Sequence, residues 1–145
     1  MKFKLGSLSM VLVTLLMGCY SLKTQDAQKH LVVPGLPNLK SKTTYSFILS
    51  TQKKIQLKAI TLYHKGVSIA INDIDYINLE SNSGRKTKVN NLRLNSGKHS
   101  IGYSLSKQYY DTENDYIKIN YVNSFQTVKT SKPILVTKKK VVTLR

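Results

Sequence analysis

The side chains best suited to chemistry in this sequence form an acidic cluster. Asp111, Glu113 and Asp115 alternate with other residues between two predicted strands. Alternating carboxylates are typical of the first positions of a calcium-binding loop, but Tyr116 and Val122 occupy the positions where that loop requires a glycine and a closing glutamate. We therefore expect a solvated loop, with these three carboxylates as weak metal candidates and with no cofactor.

Three histidines complete the chemically active set. His30, His64 and His99 lie far apart in the chain, and none belongs to an HxH or HExxH motif. The sequence also has no G-x-S-x-G motif and no glycine-rich phosphate loop. We predict polar surface histidines and no enzyme activity. The competing class, a metal-binding or hydrolytic protein, requires two of His64, His99 and the carboxylates at 111–115 to converge within about 4 Å in a concave site.

Charge is the strongest compositional signal. The 145 residues include 23 Lys and Arg against 7 Asp and Glu, a formal net charge of +16. An imbalance of this size favours anionic partners, and a generally basic, solvated surface without a specific partner is the alternative explanation. No nucleic-acid recognition motif is present, so we expect no specific nucleic-acid partner. The candidate contact residues are loop tyrosines and a lysine-rich turn, namely Tyr109, Tyr110, Tyr116, Lys138, Lys139 and Lys140.

The beginning of the chain has the pattern of an export signal. Lys2 and Lys4 precede an uncharged apolar run over residues 5–17, which is shorter than the roughly 20 residues that span a bilayer. The run ends in Leu16-Met17-Gly18-Cys19, and Cys19 is the only cysteine. This segment resembles the lipobox of bacterial lipoprotein precursors. An uncleaved signal anchor, or secretion with a spare thiol, is the alternative.

The resemblance implies a lipid anchor and a cellular location. In that family the signal is cut between the residues matching Gly18 and Cys19, the cysteine carries a thioether-linked diacylglycerol, and the new amino terminus is acylated with a fatty acid such as palmitate. Two or three acyl chains hold a protein on a bilayer for practical purposes. Tyr20 stands where some lipoproteins carry an inner-membrane Asp, which implies the outer membrane where one exists. The expected function is a lipid-anchored, non-enzymatic binding or structural accessory module of the cell envelope, with an envelope protein or an anionic polysaccharide, lipid or DNA as partner.

The mature chain divides into a tether and a domain. Residues 1–18 form the signal, and residues 19–42 read as the lipidated cysteine and an extended tether, because Pro34, Gly35 and Pro37 interrupt any regular pattern. The short apolar piece at 30–33 is an alternative edge strand. The folded domain is expected over residues 43–145.

Alternating apolar and polar residues predict strands throughout this domain. Tyr45, Phe47 and Leu49 begin a period-two pattern that continues to the end, and the same phase places Tyr103 and Tyr121 in the core. Turn residues separate the strands at 64–66, 82–84 and 95–97, the last being the clearest hairpin signal, and a phase shift at 90–91 suggests a bulge. About seven to nine short strands without helices predict an all-β fold, an antiparallel β-sandwich of immunoglobulin-like kind. A small closed β-barrel is the alternative.

Overall fold

The prediction of an all-β protein is confirmed. The computed structural model describes residues 22–111, 114–123, 128–139 and 141–144. Its only helical elements in these ranges are 3₁₀ turns at Val89–Asn91 and Lys107–Tyr109, so no described helix has the length and apolarity needed to cross a membrane. The strands are β1 (Leu22–Val33), β2 (Lys42–Thr51), β3 (Ile55–His64), β4 (Val67–Ile71), β5 (Asp73–Asn78), β6 (Ser83–Lys88), β7 (Arg93–Leu94), β8 (Gly97–Ser106), β9 (Asp115–Val122), β10 (Val128–Thr130), β11 (Ile134–Lys138) and β12 (Val142–Thr143).

The strands form one mixed, curled sheet with the shape of a half-barrel. Its order is β4-β3-β9-β11-β1-β2-β8-β5-β6, with β7, β10 and β12 attached at the side. β11 joins the two halves, because its first part pairs with β9 and its last part pairs with β1. The prediction of purely antiparallel pairing is wrong at β1, which lies parallel to both β11 and β12.

The core lies on the concave side of the sheet and contains most of the alternating apolar residues that the sequence predicts to face inward. Tyr45, Tyr103 and Tyr121 are among them, which confirms their predicted core positions. The burial pattern of β2 alternates strictly, as a strand with one buried face requires. Apolar side chains from β2, β3, β8 and β9 supply most of the cluster, including Phe47, Leu49, Leu57, Leu62, Ile101, Ile117 and Ile119.

The structure differs from the predicted tether at residues 19–42. Leu22–Val33 is the 12-residue strand β1, which lies inside the sheet between β11 and β2. Alternation did not reveal it, because its buried residues are only Ala27 and the charged Lys29, and because the register shifts at a bulge between Gln25 and Gln28. Asp26 occupies this bulge with φ 53°. The edge strand considered at 30–33 is therefore the last third of a longer, interior strand.

The predicted turns have mixed outcomes. Lys65 (φ 49°) and Gly66 (φ 76°) form the two-residue hairpin expected between β3 and β4, and the turn near Asn82 (φ 52°) joins β5 to β6. The hairpin expected at 95–97 is wrong, because β7 pairs with β3 whereas β8 pairs with β2 and β5. This segment instead crosses between the two halves of the sheet. The suggested bulge at 90–91 is part of the 3₁₀ turn Val89–Asn91.

Candidate functional site

A buried group of charged side chains lies at one end of the half-barrel, and we call it the ionic cluster. It consists of Lys29 from β1, Tyr45 from β2, His64 at the end of β3, Asp111 from the segment before β9, and Asp115 at the start of β9. The β3–β4 hairpin ends β3 at His64, and pairing of β3 with β9 brings this side chain to the acidic segment. Four strands therefore contribute to a single polar site.

Asp115 is the centre of the cluster and is completely buried. Its Oδ2 accepts hydrogen bonds from Lys29 Nζ at 2.9 Å and from the Tyr45 hydroxyl at 2.7 Å. Its Oδ1 lies 2.6 Å from His64 Nδ1. Three partners on three strands thus surround one carboxylate, which compensates for removing its charge from water. The prediction that this residue belongs to a solvated loop is wrong.

His64 lies between two carboxylates. Its Nε2 is 3.2 Å from Asp111 Oδ2, in addition to the contact of Nδ1 with Asp115. The contact with Asp115 is a hydrogen bond, whereas the contact with Asp111 is a close approach of the two side chains without hydrogen-bond geometry. The prediction of a surface histidine is wrong here, since His64 is only 8% exposed. The Tyr109 ring packs edge-on against it, with 5.0 Å between centroids.

Lys29 fills the space in which a metal ion would contact the carboxylates. Its ammonium group lies 2.9 Å from Asp115, 3.6 Å from Asp111 and 3.0 Å from the Tyr109 carbonyl oxygen. Lys65 adds a second ammonium, 3.0 Å from Asp111 Oδ2. Within the described residues, no three His, Cys, Asp or Glu side chains are arranged to hold a metal ion. Of the weak metal candidates, Asp111 and Asp115 are held by protein cations and Glu113 lies outside the described residues.

The cluster also affects two stacked tyrosines. The rings of Tyr45 and Tyr103 are parallel, with centroids 5.0 Å apart. Burial, and then the hydrogen bond to Asp115, raise the pKa of Tyr45 far above its ordinary value. Burial, followed by the negative charge of Asp115, raises the pKa of Tyr103 in the same direction. Both phenols therefore stay neutral while the protein is folded.

The other histidines do not join this site. His99 is also buried, at 1% exposure, which contradicts its predicted surface position. Its Nε2 donates to the Asn95 carbonyl oxygen at 2.8 Å, so its Nδ1 accepts from the Tyr76 hydroxyl, also at 2.8 Å. This pairing satisfies both ring nitrogens in the neutral form. His30 is half-buried on β1.

The predicted contact residues divide into three groups. Tyr110 and Tyr116 lie near the lysine-rich strand β11, because the Tyr110 hydroxyl donates to the Lys139 carbonyl oxygen, Lys138 Nζ lies 4.4 Å from the centre of the Tyr110 ring, and Leu135 pairs with Tyr116. Tyr116 and Leu135 are 42% and 53% exposed. Tyr109 instead packs against the core. Lys140, together with Gly18 and Cys19 of the lipidation motif, lies outside the described residues.

Sequence reasoning missed Lys29 and the polar role of Tyr45. In a strand, Lys29 points to the same face as Ala27 and Leu31. Its inward position could therefore have been predicted only if β1 had first been recognised as a strand. The Tyr45 position was predicted, but its hydrogen bond to a residue 70 positions away was not.

The contacts of the cluster join oppositely charged and hydrogen-bonding side chains. Both ring nitrogens of His64 face carboxylates, so among the described residues neither nitrogen faces a serine, threonine or cysteine. Each acid oxygen of Asp115 already has a donor. Comparison with known protein families finds no family model that matches this chain, and comparison with curated proteins finds no match either.

Proposed function

We propose that this protein is a lipid-anchored, non-enzymatic binding module of the cell envelope with an anionic partner. The observation that best supports the proposal is that some of the protein's few acidic side chains are paired inside the ionic cluster. The ionic cluster takes up Asp111 and Asp115, so two of only seven carboxylates do not oppose the positive surface. A surface with so few acids favours anionic polymers or acidic proteins as partners. Anchoring at Cys19, and an outer-membrane location where that membrane exists, rest on the lipobox pattern.

The contact region that we propose is the exposed part of β11 with its neighbouring tyrosines. Leu135 and Tyr116 form an apolar pair across β11 and β9, and Lys138 and Lys139 supply charge beside Tyr110. Aromatic rings next to lysines suit anionic sugars and acidic peptides, because stacking and charge act together. We further propose that the two halves of the sheet, with the core between them, are related to the immunoglobulin-like sandwich.

The second candidate function is hydrolysis or metal binding, and one observation favours it. His64 converges with Asp111 and Asp115 within 4 Å, as that class requires. The ammonium group of Lys29 between the carboxylates argues for the binding module, because it neutralises the groups that would otherwise hold a metal or act as a base.

The anchor is tested by growing cells with labelled palmitate. The wild-type protein should become labelled and fractionate with membranes, whereas Cys19→Ser should lose the label. Wild-type protein that carries no label and is recovered soluble with residues 1–18 intact would contradict the anchor.

The contact region is tested by crosslinking in whole cells. A photoreactive residue in place of Tyr116 should capture a partner, whereas one in place of the exposed Lys58 on β3 should not. Replacing Lys138 and Lys139 by Glu should reduce capture at position 116, and rising salt should reduce it further. Equal capture at 116 and 58 would contradict the proposed region.

A further inference from the structure

The opposite end of the half-barrel, where β1 begins, carries a group of exposed lysines. We call it the basal end. Pairing aligns Leu22 with Thr51 and Thr51 with Gly97, so the first residue of β1, the last of β2 and the first of β8 lie side by side. The β2–β3 turn and the beginning of β8 belong to this end. Its exposed lysines are Lys23, Lys53, Lys54 and Lys98.

The register places two of these lysines on one outward-facing row. Lys23 pairs with Ser50, which pairs in turn with Lys98, and Lys53 and Lys54 follow in the adjacent turn. The β5–β6 turn reaches the same end, because Asn78 pairs with His99. This turn contributes the exposed apolar side chain of Leu79. It also contributes the carboxylate of Glu80, which packs against Gly97. The four lysines and Glu80 together carry a formal charge of +3.

The distance to the acylated cysteine is set by chain length. Only Tyr20 and Ser21 separate Cys19 from the first residue of β1. Three residue steps span at most about 11 Å even when fully extended. Leu22 must therefore lie within about 11 Å of the lipidated residue, and the basal end cannot be lifted away from the bilayer as the predicted 24-residue tether would have allowed.

We propose that the basal lysines, Lys23, Lys53, Lys54 and Lys98, bind the anionic phospholipid headgroups of the bilayer that holds the anchor. This inference rests on the lipid anchor of the proposed function. Docking on this end brings the charges within about one Debye length of the headgroups, where screening is incomplete. Each lysine near such a surface strengthens binding about fivefold. The docked protein stands on its basal end, with the ionic cluster and the Tyr110–Lys138 pair at the far end.

Orientation can be measured directly because the chain contains no tryptophan. We would reconstitute the full lipidated protein into vesicles of phosphatidylcholine alone or with phosphatidylglycerol. Gln52→Trp places a reporter between the basal lysines, and Asn38→Trp is the matched control in the exposed loop between β1 and β2 at the other end. Brominated phosphatidylglycerol should quench the reporter at 52 and leave the reporter at 38 unchanged.

Charge reversal distinguishes quenching that depends on the basal lysines from quenching that results only from proximity to the anchor. Lys53→Glu with Lys54→Glu should lower the ratio of docked to undocked protein at least 25-fold, at about fivefold for each lysine removed. High salt should act in the same direction. The matched control is Lys40→Glu with Lys42→Glu, which changes two exposed lysines at the far end and should leave quenching at 52 intact.

The outcomes distinguish this inference from the anchor itself. Protein that does not float with either kind of vesicle refutes the anchor, and the inference fails with it. The lysine contact is refuted, and the anchor stands, if the protein floats with vesicles but the reporter at 52 is not quenched. The same conclusion follows if brominated phosphatidylcholine in neutral vesicles quenches that reporter equally. Stronger quenching in phosphatidylglycerol, lost on charge reversal at 53 and 54 only, supports it.

Discussion

Replacing Lys29 by methionine should destabilise the protein more than any surface lysine replacement. The methionine keeps the length of the side chain but removes an ammonium group that is fully buried and 2.9 Å from Asp115 Oδ2. Its loss leaves the Asp115 carboxylate in the interior with Tyr45 and His64 as its remaining partners. Lys29→Met therefore tests whether the ionic cluster holds β1 in the sheet.

The expected magnitude follows from this geometry. At 2.9 Å and an effective dielectric constant of about 20, the attraction between the two charges is about 6 kcal/mol. Removing each charge from water costs several kcal/mol, so the intact pair contributes little net stability. Removal of one partner from a buried pair nevertheless costs about 3–5 kcal/mol. Because Asp115 keeps two donors, we expect a loss of about 3 kcal/mol from a total of about 5–15 kcal/mol.

Urea unfolding followed by the tyrosine signal measures this loss. Lys23→Met, an exposed lysine on the same strand, is the matched control and should stay within about 0.5 kcal/mol of wild type. Tyr45→Phe removes a single hydrogen bond to Asp115 and should cost about 1.5–3 kcal/mol, which keeps the test informative if Lys29→Met does not fold. Values for Lys29→Met and Tyr45→Phe that match the Lys23 control would refute a structural role for the cluster.

Two further predictions concern pH and backbone conformation. The pKa values of Tyr45 and Tyr103 in the folded protein lie far above the ordinary 10.0, so the folded state keeps two protons that the unfolded chain releases above about pH 10. The contribution of these two phenols to the free energy of unfolding is therefore present below about pH 10 and is lost as the pH rises beyond it. Titrations followed by absorbance and circular dichroism should show that these two tyrosines ionise only when the protein unfolds. Ionisation of all nine tyrosines while the chain is still folded would contradict the prediction. Gly97→Ala should cost about 1–3 kcal/mol, because φ is 128° and the new Cβ would lie 2.5 Å from Glu80 Oε1. It should lower Tm more than Gly66→Ala, where φ is also positive (76°) but the new Cβ meets no atom within 4 Å, and equal shifts would show that neither the larger φ of Gly97 nor the Glu80 contact adds to the cost.

The sequence predicts the strands with apolar inward faces and fails where an inward face is polar. β2 and β3 were predicted because each carries alternating apolar residues, and a one-sided sheet buries them. β1 was missed because its inward side chains are Ala27 and Lys29, so its position depends on partners that lie far away in the chain. The parallel pairing of β1 with β11 joins the two ends of the described chain, and local turn chemistry carries no information about it.

The same physical reason explains the outcome at the site. Alternating carboxylates at 111–115 marked a chemically distinctive segment, and the structure does bring two of them to His64. The pattern did not indicate whether a metal, water or a protein cation would neutralise them. In the structure, the ammonium group of Lys29, 86 positions from Asp115, pairs with it. Sheet pairing brings the two residues together, and no local spacing in the sequence reveals that pairing.

Recognition of β1 as a strand changes how the proposed anchor and the proposed contact region relate. A flexible tether would decouple the domain from the bilayer, whereas a strand transmits its position rigidly. At about 3.3 Å per residue, Lys29 lies about 23 Å along β1 from Leu22. The ionic cluster fixes β1 to β2, β3 and β9 at that height, and β11, which carries Leu135 and Lys138, pairs with β1 and β9 beside it. If the protein is anchored as proposed, the ionic cluster therefore holds the contact region at a set distance above the membrane. Weakening the cluster by Lys29→Met should reduce partner capture at position 116 without releasing the protein from the bilayer.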